Sequence, residues 1–103
     1  MKRAITKIKT ETKINKKLTK AVEYLKSIGC KEVFLFGSLS DGTFNELSDI
    51  DLAVSGISPR KYFKAVAALS SIAKWKVDLV ALDYISEKLK ERIRKKGKRL
   101  YAS

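Results

Sequence analysis

Residues 37–54 read GSLSDGTFNELSDIDLAV, a polar segment followed by a segment with the pattern of a strand. The short bulky run Val33–Phe36 precedes it and is bounded by Gly37, which predicts a buried strand that ends in a turn. From Asp49 to Val54 the residues alternate, with Ile, Leu and Val on one side and Asp, Asp and Ala on the other. The stretch therefore predicts two strands joined by a polar loop.

Three helices are predicted around these strands. Apolar residues recur at helical spacing from Ile14 to Ile28, where Gly29 supplies a stop. Ser58 caps a second helix, whose expected inward stripe consists of Tyr62, Val66, Leu69 and Ala73. Ser86 caps a last helix that stops at Gly97 and is followed by a basic tail.

A third strand, Val77–Leu82, is almost wholly apolar and falls between the last two helices in the sequence. The resulting order is helix, strand, turn, strand, helix, strand, helix, which predicts an α/β (α+β) fold with a small three-stranded mixed sheet packed against helices. We expect a single domain over residues 13–103, preceded by a basic arm or helix extension at residues 1–12.

Composition excludes several kinds of chemistry. The chain has no His, so imidazole cannot serve as base, acid or ligand, and the single cysteine, Cys30, excludes an internal disulfide and a cysteine-based zinc cluster. The longest apolar run, Ala65–Leu69, is far shorter than the roughly 17 residues of a membrane span, and no secretory signal is recognisable. We therefore expect a cytoplasmic protein, not held in a membrane, whose chemistry uses carboxylates, hydroxyls, lysines or a metal bound by oxygen.

The net charge of +12 is unevenly distributed. Residues 1–31 carry 10 Lys/Arg and 2 acids, residues 85–103 carry 8 and 2, and residues 32–84 carry 5 and 7. Basic ends favour contact with RNA or with an acidic protein, although a solvated lysine-rich surface explains them equally well. The acidic centre is more informative, since it suggests carboxylates placed for a cation.

Three carboxylates are the candidate cation ligands. Asp49 and Asp51 are two residues apart in a strand and so share a face, although both could simply face solvent at the start of the strand. Asp78 interrupts an apolar strand, where a buried carboxylate needs either a metal or a partner such as Lys76. If the third strand lies beside the second, the three carboxylates meet, and their oxygen ligands favour Mg²⁺ or Mn²⁺.

Gly37 and Ser38 complement these carboxylates. A glycine at a strand end allows close approach of a ligand, and the following N–H groups and serine hydroxyl can bind phosphate oxygens, although a bare Gly-Ser is also an ordinary turn. A phosphate-binding turn beside a metal-binding cluster is the minimum equipment for phosphoryl or nucleotidyl transfer.

The stretch 37–54 resembles the Gly-Ser, spacer, Ser-Asp-x-Asp-Leu signature of the minimal nucleotidyltransferases, a branch of the DNA polymerase β-like superfamily, and Asp78 in KVDLV is similar to that family's third carboxylate. The resemblance implies a Mg²⁺-dependent enzyme with the polymerase β-like nucleotidyltransferase fold. Its catalytic and metal-binding residues would be Asp49, Asp51 and Asp78, and ATP or another nucleoside triphosphate would be held by Gly37, Ser38 and Ser48.

The resemblance also implies a partner. Minimal nucleotidyltransferases typically act as antitoxins that transfer AMP to a tyrosine of a helical HEPN-type toxin. Two alternatives remain: a non-catalytic module that neutralises its partner by contact, and a catalytic subunit that modifies a small molecule or an RNA end. The chain departs from the family at Asp41, where members often have a basic residue before the loop's second glycine. An acid near a triphosphate is unfavourable unless it points away, so we expect activity that is weak or restricted to an unusual donor.

Overall fold

The computed structural model describes residues 2–37 and 49–103, with side chains from residue 14 onward within these ranges. The elements in chain order are α1 (Lys2–Ser27), β1 (Glu32–Phe36), β2 (Ile50–Ser55), α2 (Pro59–Ala73), β3 (Val77–Ala81), a 3-10 turn (Leu82–Tyr84), α3 (Glu87–Lys96) and β4 (Lys98–Ala102). The described strands form a mixed sheet in the order β3-β2-β1-β4. The predicted mixed α/β architecture is confirmed.

The sheet has one more strand than the sequence predicts. Strand β4, which was expected to be a basic tail, pairs antiparallel with β1 from Glu32 opposite Ala102 to Leu35 opposite Lys98. Its side chains are exposed or only half-buried, so it lacks the clear alternation that marks an inner strand. Charged residues such as Lys98 and Arg99 are typical of an edge strand, where they discourage pairing with other chains.

Helix α1 is longer than its periodic segment, because the backbone is already helical at Lys2. Residues 2–12 therefore continue the helix as an extension, while the predicted domain boundary between residues 12 and 13 remains a prediction. None of the helices in the described residues is both long and apolar enough to cross a membrane.

The sheet has two differently covered faces. Helices α1 and α2 cover one face, where the main core lies; its buried members include Leu25, Val33, Leu52, Leu69 and Leu79. Helix α3 covers the other face, where Ile93 packs with Phe34, Ala53 and Leu82 in a smaller core. The strands are apolar on both sides because both faces are covered. Asp51 has the same parity as Ala53 and therefore belongs to the α3 face.

The crossover from β2 through α2 to β3 makes these two strands parallel. Ser58 caps α2 by accepting a hydrogen bond from the backbone N–H of Lys61 (3.3 Å), as predicted. At the other end, Lys74 adopts a left-handed conformation (φ 54°), and the N–H of Val77 donates to the Ser70 hydroxyl (3.1 Å). These contacts fix where β3 begins, and therefore which residue of β3 faces Asp51.

Gly97 packs tightly where α3 meets β1. A Cβ at this position would lie 2.5 Å from the carbonyl oxygen of Ile93 and 3.0 Å from that of Leu35, and both atoms belong to the backbone. We therefore expect Gly97→Ala to reduce the free energy of unfolding by about 1–3 kcal/mol, measured by chemical denaturation. Lys98→Ala at the adjacent exposed position should change it by less than about 0.5 kcal/mol. Equal stability of the two variants would contradict the tight packing.

Candidate active site

Asp51 and Asp78 face each other across neighbouring parallel strands. The register of β2 and β3 pairs Ile50 with Val77, Asp51 with Asp78 and Leu52 with Leu79. Since strands in a sheet are about 4.8 Å apart, the two carboxylates project side by side from the same face. The structure thus places β3 beside β2 as the predicted site requires, with Asp78 on the same side of the sheet as Asp51.

The environment of Asp78 differs from the prediction in one respect. The sequence suggested a carboxylate buried in an apolar strand, but the Asp78 side chain is exposed. Its neighbours Val77, Leu79 and Ala81 point into the main core, whereas Asp78 points to the opposite face near the open start of an edge strand. Because Asp78 is exposed, its carboxylate needs no ion-pair partner or metal to offset burial. Asp78 is a candidate site residue because it lies opposite Asp51.

Asp49 precedes β2 and forms an ion pair with Lys76, with 3.6 Å between Asp49 Oδ2 and Lys76 Nζ. The sequence suggested Lys76 as a partner for Asp78, but its side chain reaches Asp49 instead. A backbone hydrogen bond from the N–H of Ile50 to the carbonyl of Lys76 (2.9 Å) holds the two strand starts together. Because the Lys76 side chain is 73% exposed, this ion pair contributes little to stability.

Gly37 brings the end of β1 against the carboxylate of Asp51. Its φ of 73° lies in the left-handed region, and a Cβ at this position would overlap Asp51 Oδ2. Glycine is therefore required here both by the backbone conformation and by the close approach. Gly37 and the strand that carries Asp51 are adjacent in space, since Phe36 is the register partner of Asp51.

The electrostatics of the site converge on Asp51. Partial burial raises the pKa of its carboxyl above the usual range, and the negative charges of Asp78 and then Asp49 raise it further. The three carboxylates are therefore close enough for the outer two to act on the middle one. In this arrangement, a cation would relieve a repulsion that the fold itself creates.

Two predicted nucleotide-binding residues, Ser38 and Ser48, lie outside the described residues, as does Asp41. Within residues 2–37 and 49–103, no group of three acidic, histidine or cysteine side chains stands close enough, as positioned, to hold a metal ion. The backbone register brings Asp51 and Asp78 together, and convergence of three carboxylates on one ion requires a change of side-chain rotamer.

The mixed sheet has an Asp-x-Asp motif at the start of β2, an Asp at the facing position of the parallel strand β3, and a glycine packed against Asp51. These features are those of a nucleotidyltransferase-type fold. The family model described as Polymerase beta, Nucleotidyltransferase matches residues 16–103, and the chain belongs to this family. The resemblance found in the sequence is confirmed. The comparison with curated proteins found no match.

Solved structures agree with this family. A chain of a toxin–antitoxin complex crystallised with AMP-PNP is 30% identical, with a TM-score of 0.73, over 82% of this chain and 73% of that one. A predicted nucleotidyltransferase from Sulfolobus solfataricus is 25% identical, with a TM-score of 0.62, over 92% and 86% of the two chains. A chain of the Shewanella oneidensis complex between a tri-AMPylated HEPN toxin and its MNT antitoxin is 24% identical, over 84% and 73%, with a TM-score of 0.60; this last likeness shows the fold alone.

Removing the middle carboxylate should stabilise the metal-free protein in a pH-dependent way. Because the pKa of Asp51 is raised on folding, ionisation of Asp51 opposes folding at neutral pH, and this penalty disappears once the residue is protonated in both states. We expect Asp51→Asn to melt at a higher temperature than the unsubstituted chain at neutral pH in the presence of a chelator, and to lose that advantage below about pH 4.

The matched control is Glu23→Gln, which removes an exposed carboxylate on α1. It should leave the melting temperature nearly unchanged across the same range. A decrease in stability of Asp51→Asn at neutral pH would show that Asp51 makes a favourable contact that outweighs the repulsion.

Proposed function

We propose that the chain is a Mg²⁺-dependent nucleotidyltransferase that transfers AMP from ATP to a hydroxyl of a HEPN-type partner protein, as the antitoxin of a toxin–antitoxin pair. The observation that carries this proposal is the register pairing of Asp51 with Asp78, with Gly37 packed against the first of them. In a chain of this family, these are the residues whose chemistry suits metal-assisted phosphoryl chemistry.

The donor set fits Mg²⁺ or Mn²⁺. All candidate ligands are carboxylate oxygens, which suit hard divalent cations; burial first, and then the negative charges of Asp78 and Asp49, raise the pKa of the Asp51 carboxyl, which supports a cation at this place. Asp49, Asp51 and Asp78 would hold the metal after side-chain rotation. When bound, divalent ions neutralise charge on the transferring phosphoryl group and on both the attacking and the leaving oxygens.

The residues of the chain would then bind and orient the reactants. Gly37 would let the backbone approach the triphosphate, with Ser38 and Ser48 as further phosphate-binding groups. Asp78, exposed at the start of an edge strand, is accessible to an incoming acceptor and would accept the proton of its hydroxyl. The hydroxyl oxygen bonds to the α-phosphorus, the bond from that phosphorus to the bridging oxygen breaks, and pyrophosphate leaves with the electron pair.

The proposed donor and acceptor rest on the relatives. One similar chain comes from a complex that contains AMP-PNP, an ATP analogue, and another comes from a complex with a HEPN toxin that carries AMP.

Transfer should depend on the paired carboxylates. With α-labelled ATP, Mg²⁺ and the product of the adjacent gene, the unsubstituted chain should label that protein. We expect Asp51→Asn or Asp78→Asn to reduce the rate by about three orders of magnitude, because the charge stabilisation supplied through a metal is worth several kcal/mol. Glu23→Gln, remote from the site, should label the partner at the normal rate.

The destination of the label separates the alternatives. Inhibition of the partner without any label would make the chain a binding module, and label in RNA or in an aminoglycoside would make the acceptor something other than the partner protein. Full activity in the Asp51→Asn, Asp78→Asn double variant would disprove the proposed roles of these carboxylates.

Metal alone should stabilise the folded chain, because only the native state assembles the carboxylates. At a Mg²⁺ concentration about 100 times the dissociation constant, the expected gain is about 2.7 kcal/mol, seen as a rise in melting temperature. Asp51→Asn should largely abolish this rise, while Glu23→Gln should retain it. An equal rise in all three proteins would show that the metal binds elsewhere.

A further inference from the structure

Helix α3 carries an open groove of about 520 Å³ along one side. Four cationic side chains line it, and we call them the cationic flank: Lys88, Arg92, Lys95 and Lys96. Leu89, whose surface is 42% exposed, lies among them, together with a single acid, Glu91. The groove therefore combines a strong positive charge with one apolar contact point.

The positive charge of this flank exceeds the single negative charge of Glu91 in the groove. The remaining cations of α3 are paired: Arg94 donates to both carboxylate oxygens of Glu32 (2.8 and 3.1 Å), and Lys90 lies 3.4 Å from Glu87. No ion pair with a described carboxylate involves the cationic flank. Neighbouring like charges on a helix destabilise it, so a bound anion would stabilise this segment.

The groove lies on the side of α3 that is turned away from its contact with Glu32. On the other side of α3, Arg94 forms an ion pair with Glu32, which is the first residue of β1. Gly37 follows the last residue of β1, at the opposite end of that strand. With 3.6 residues per turn, Arg92 and Lys96 lie on the side of the helix turned away from Glu32. Helix α3 packs on the sheet face that carries Asp51 and Asp78, so the groove and the two carboxylates lie on the same side of the sheet.

Three kinds of anion could occupy such a groove, and its lining distinguishes them. Single-stranded nucleic acid is normally bound with aromatic side chains on which bases stack, and the described lining contains none. The triphosphate of the nucleotide is expected at Gly37, beyond the end of β1. An acidic polypeptide segment suits the groove best, since it can offer carboxylates to the four cations and an apolar side chain to Leu89.

We propose that the cationic flank of α3 is the docking surface for an acidic segment of the acceptor protein. This proposal rests on the proposed function, because it is the acceptor that must be held beside Asp78 while its hydroxyl reacts. Docking along α3 would bring the partner to the sheet face that carries Asp51 and Asp78, and it would make association strongly dependent on salt concentration. The long-range attraction would also increase the rate of encounter.

The test is a binding measurement without nucleotide or metal. The probe is a fluorescein-labelled peptide of alternating glutamate and leucine, followed by fluorescence anisotropy. We expect the Arg92→Glu, Lys96→Glu double variant to bind it about tenfold or more weakly, because two attractions become repulsions. Lys16→Glu, Lys20→Glu is the matched control, with two exposed lysines at the same helical spacing on α1, and it should bind nearly as the unsubstituted chain does.

Folding of each variant is checked by circular dichroism, and Arg92→Gln, Lys96→Gln replaces the charge reversal if the latter does not fold. If the α1 control binds the peptide as weakly as the α3 variant does, the loss of binding is explained by net charge alone, and the proposal is overturned. Tighter binding of an oligouridylate, lost in the α3 variant, would assign the groove to RNA, and competitive displacement of the peptide by ATP would assign it to the nucleotide. Because neither catalysis nor metal enters the measurement, failed AMP transfer with intact peptide binding would refute the proposed function alone.

Discussion

The parallel pairing of β2 with β3 is the constraint on which the site depends. It sets Asp51 opposite Asp78. The two side chains carry like charges, whose repulsion disfavours this strand register. The same register buries Ile50, Leu52 and Leu79 in the main core, and each such side chain contributes about 1.5–3 kcal/mol. A shift by one residue would turn these side chains to the wrong face, so core packing determines the register and the fold tolerates the repulsion.

The unequal covering of the two faces determines where a ligand can approach. Two helices, α1 and α2, bury one face over the main core, while the shorter α3 packs its buried residue, Ile93, against Phe34, Ala53 and Leu82. Asp51 lies on this second face near the beginning of β2 and is only half-buried, and Asp78 beside it is exposed. The carboxylates are therefore held by a rigid sheet and still accessible from solvent, as a site that exchanges substrates requires.

Local patterns in the sequence predicted the elements that place the carboxylates, and long-range packing decided the rest. The alternation around Asp51 and the glycine after β1 were sufficient to predict two strands and a close turn. In α2, however, the buried face contains Ala65 rather than the predicted Val66, because small residues allow the helix to pack closely and Val66 is left exposed. Strand β4 and the exposure of Asp78 depend on which strand lies at an edge, and periodicity carries no information about strand order.

The ion pair between Lys76 and Asp49 bears on how the proposed site would exist without a metal and with one. Lys76 supplies one positive charge beside Asp49, while Asp78 and Asp49 still raise the pKa of Asp51. Because the pair is exposed and spans 3.6 Å, opening it costs little, and Asp49 can turn toward a divalent cation. The backbone hydrogen bond from Ile50 to Lys76 remains in place during this exchange, since it involves no side chain. Metal binding at the proposed site would therefore need rotation of side chains and no rearrangement of the sheet.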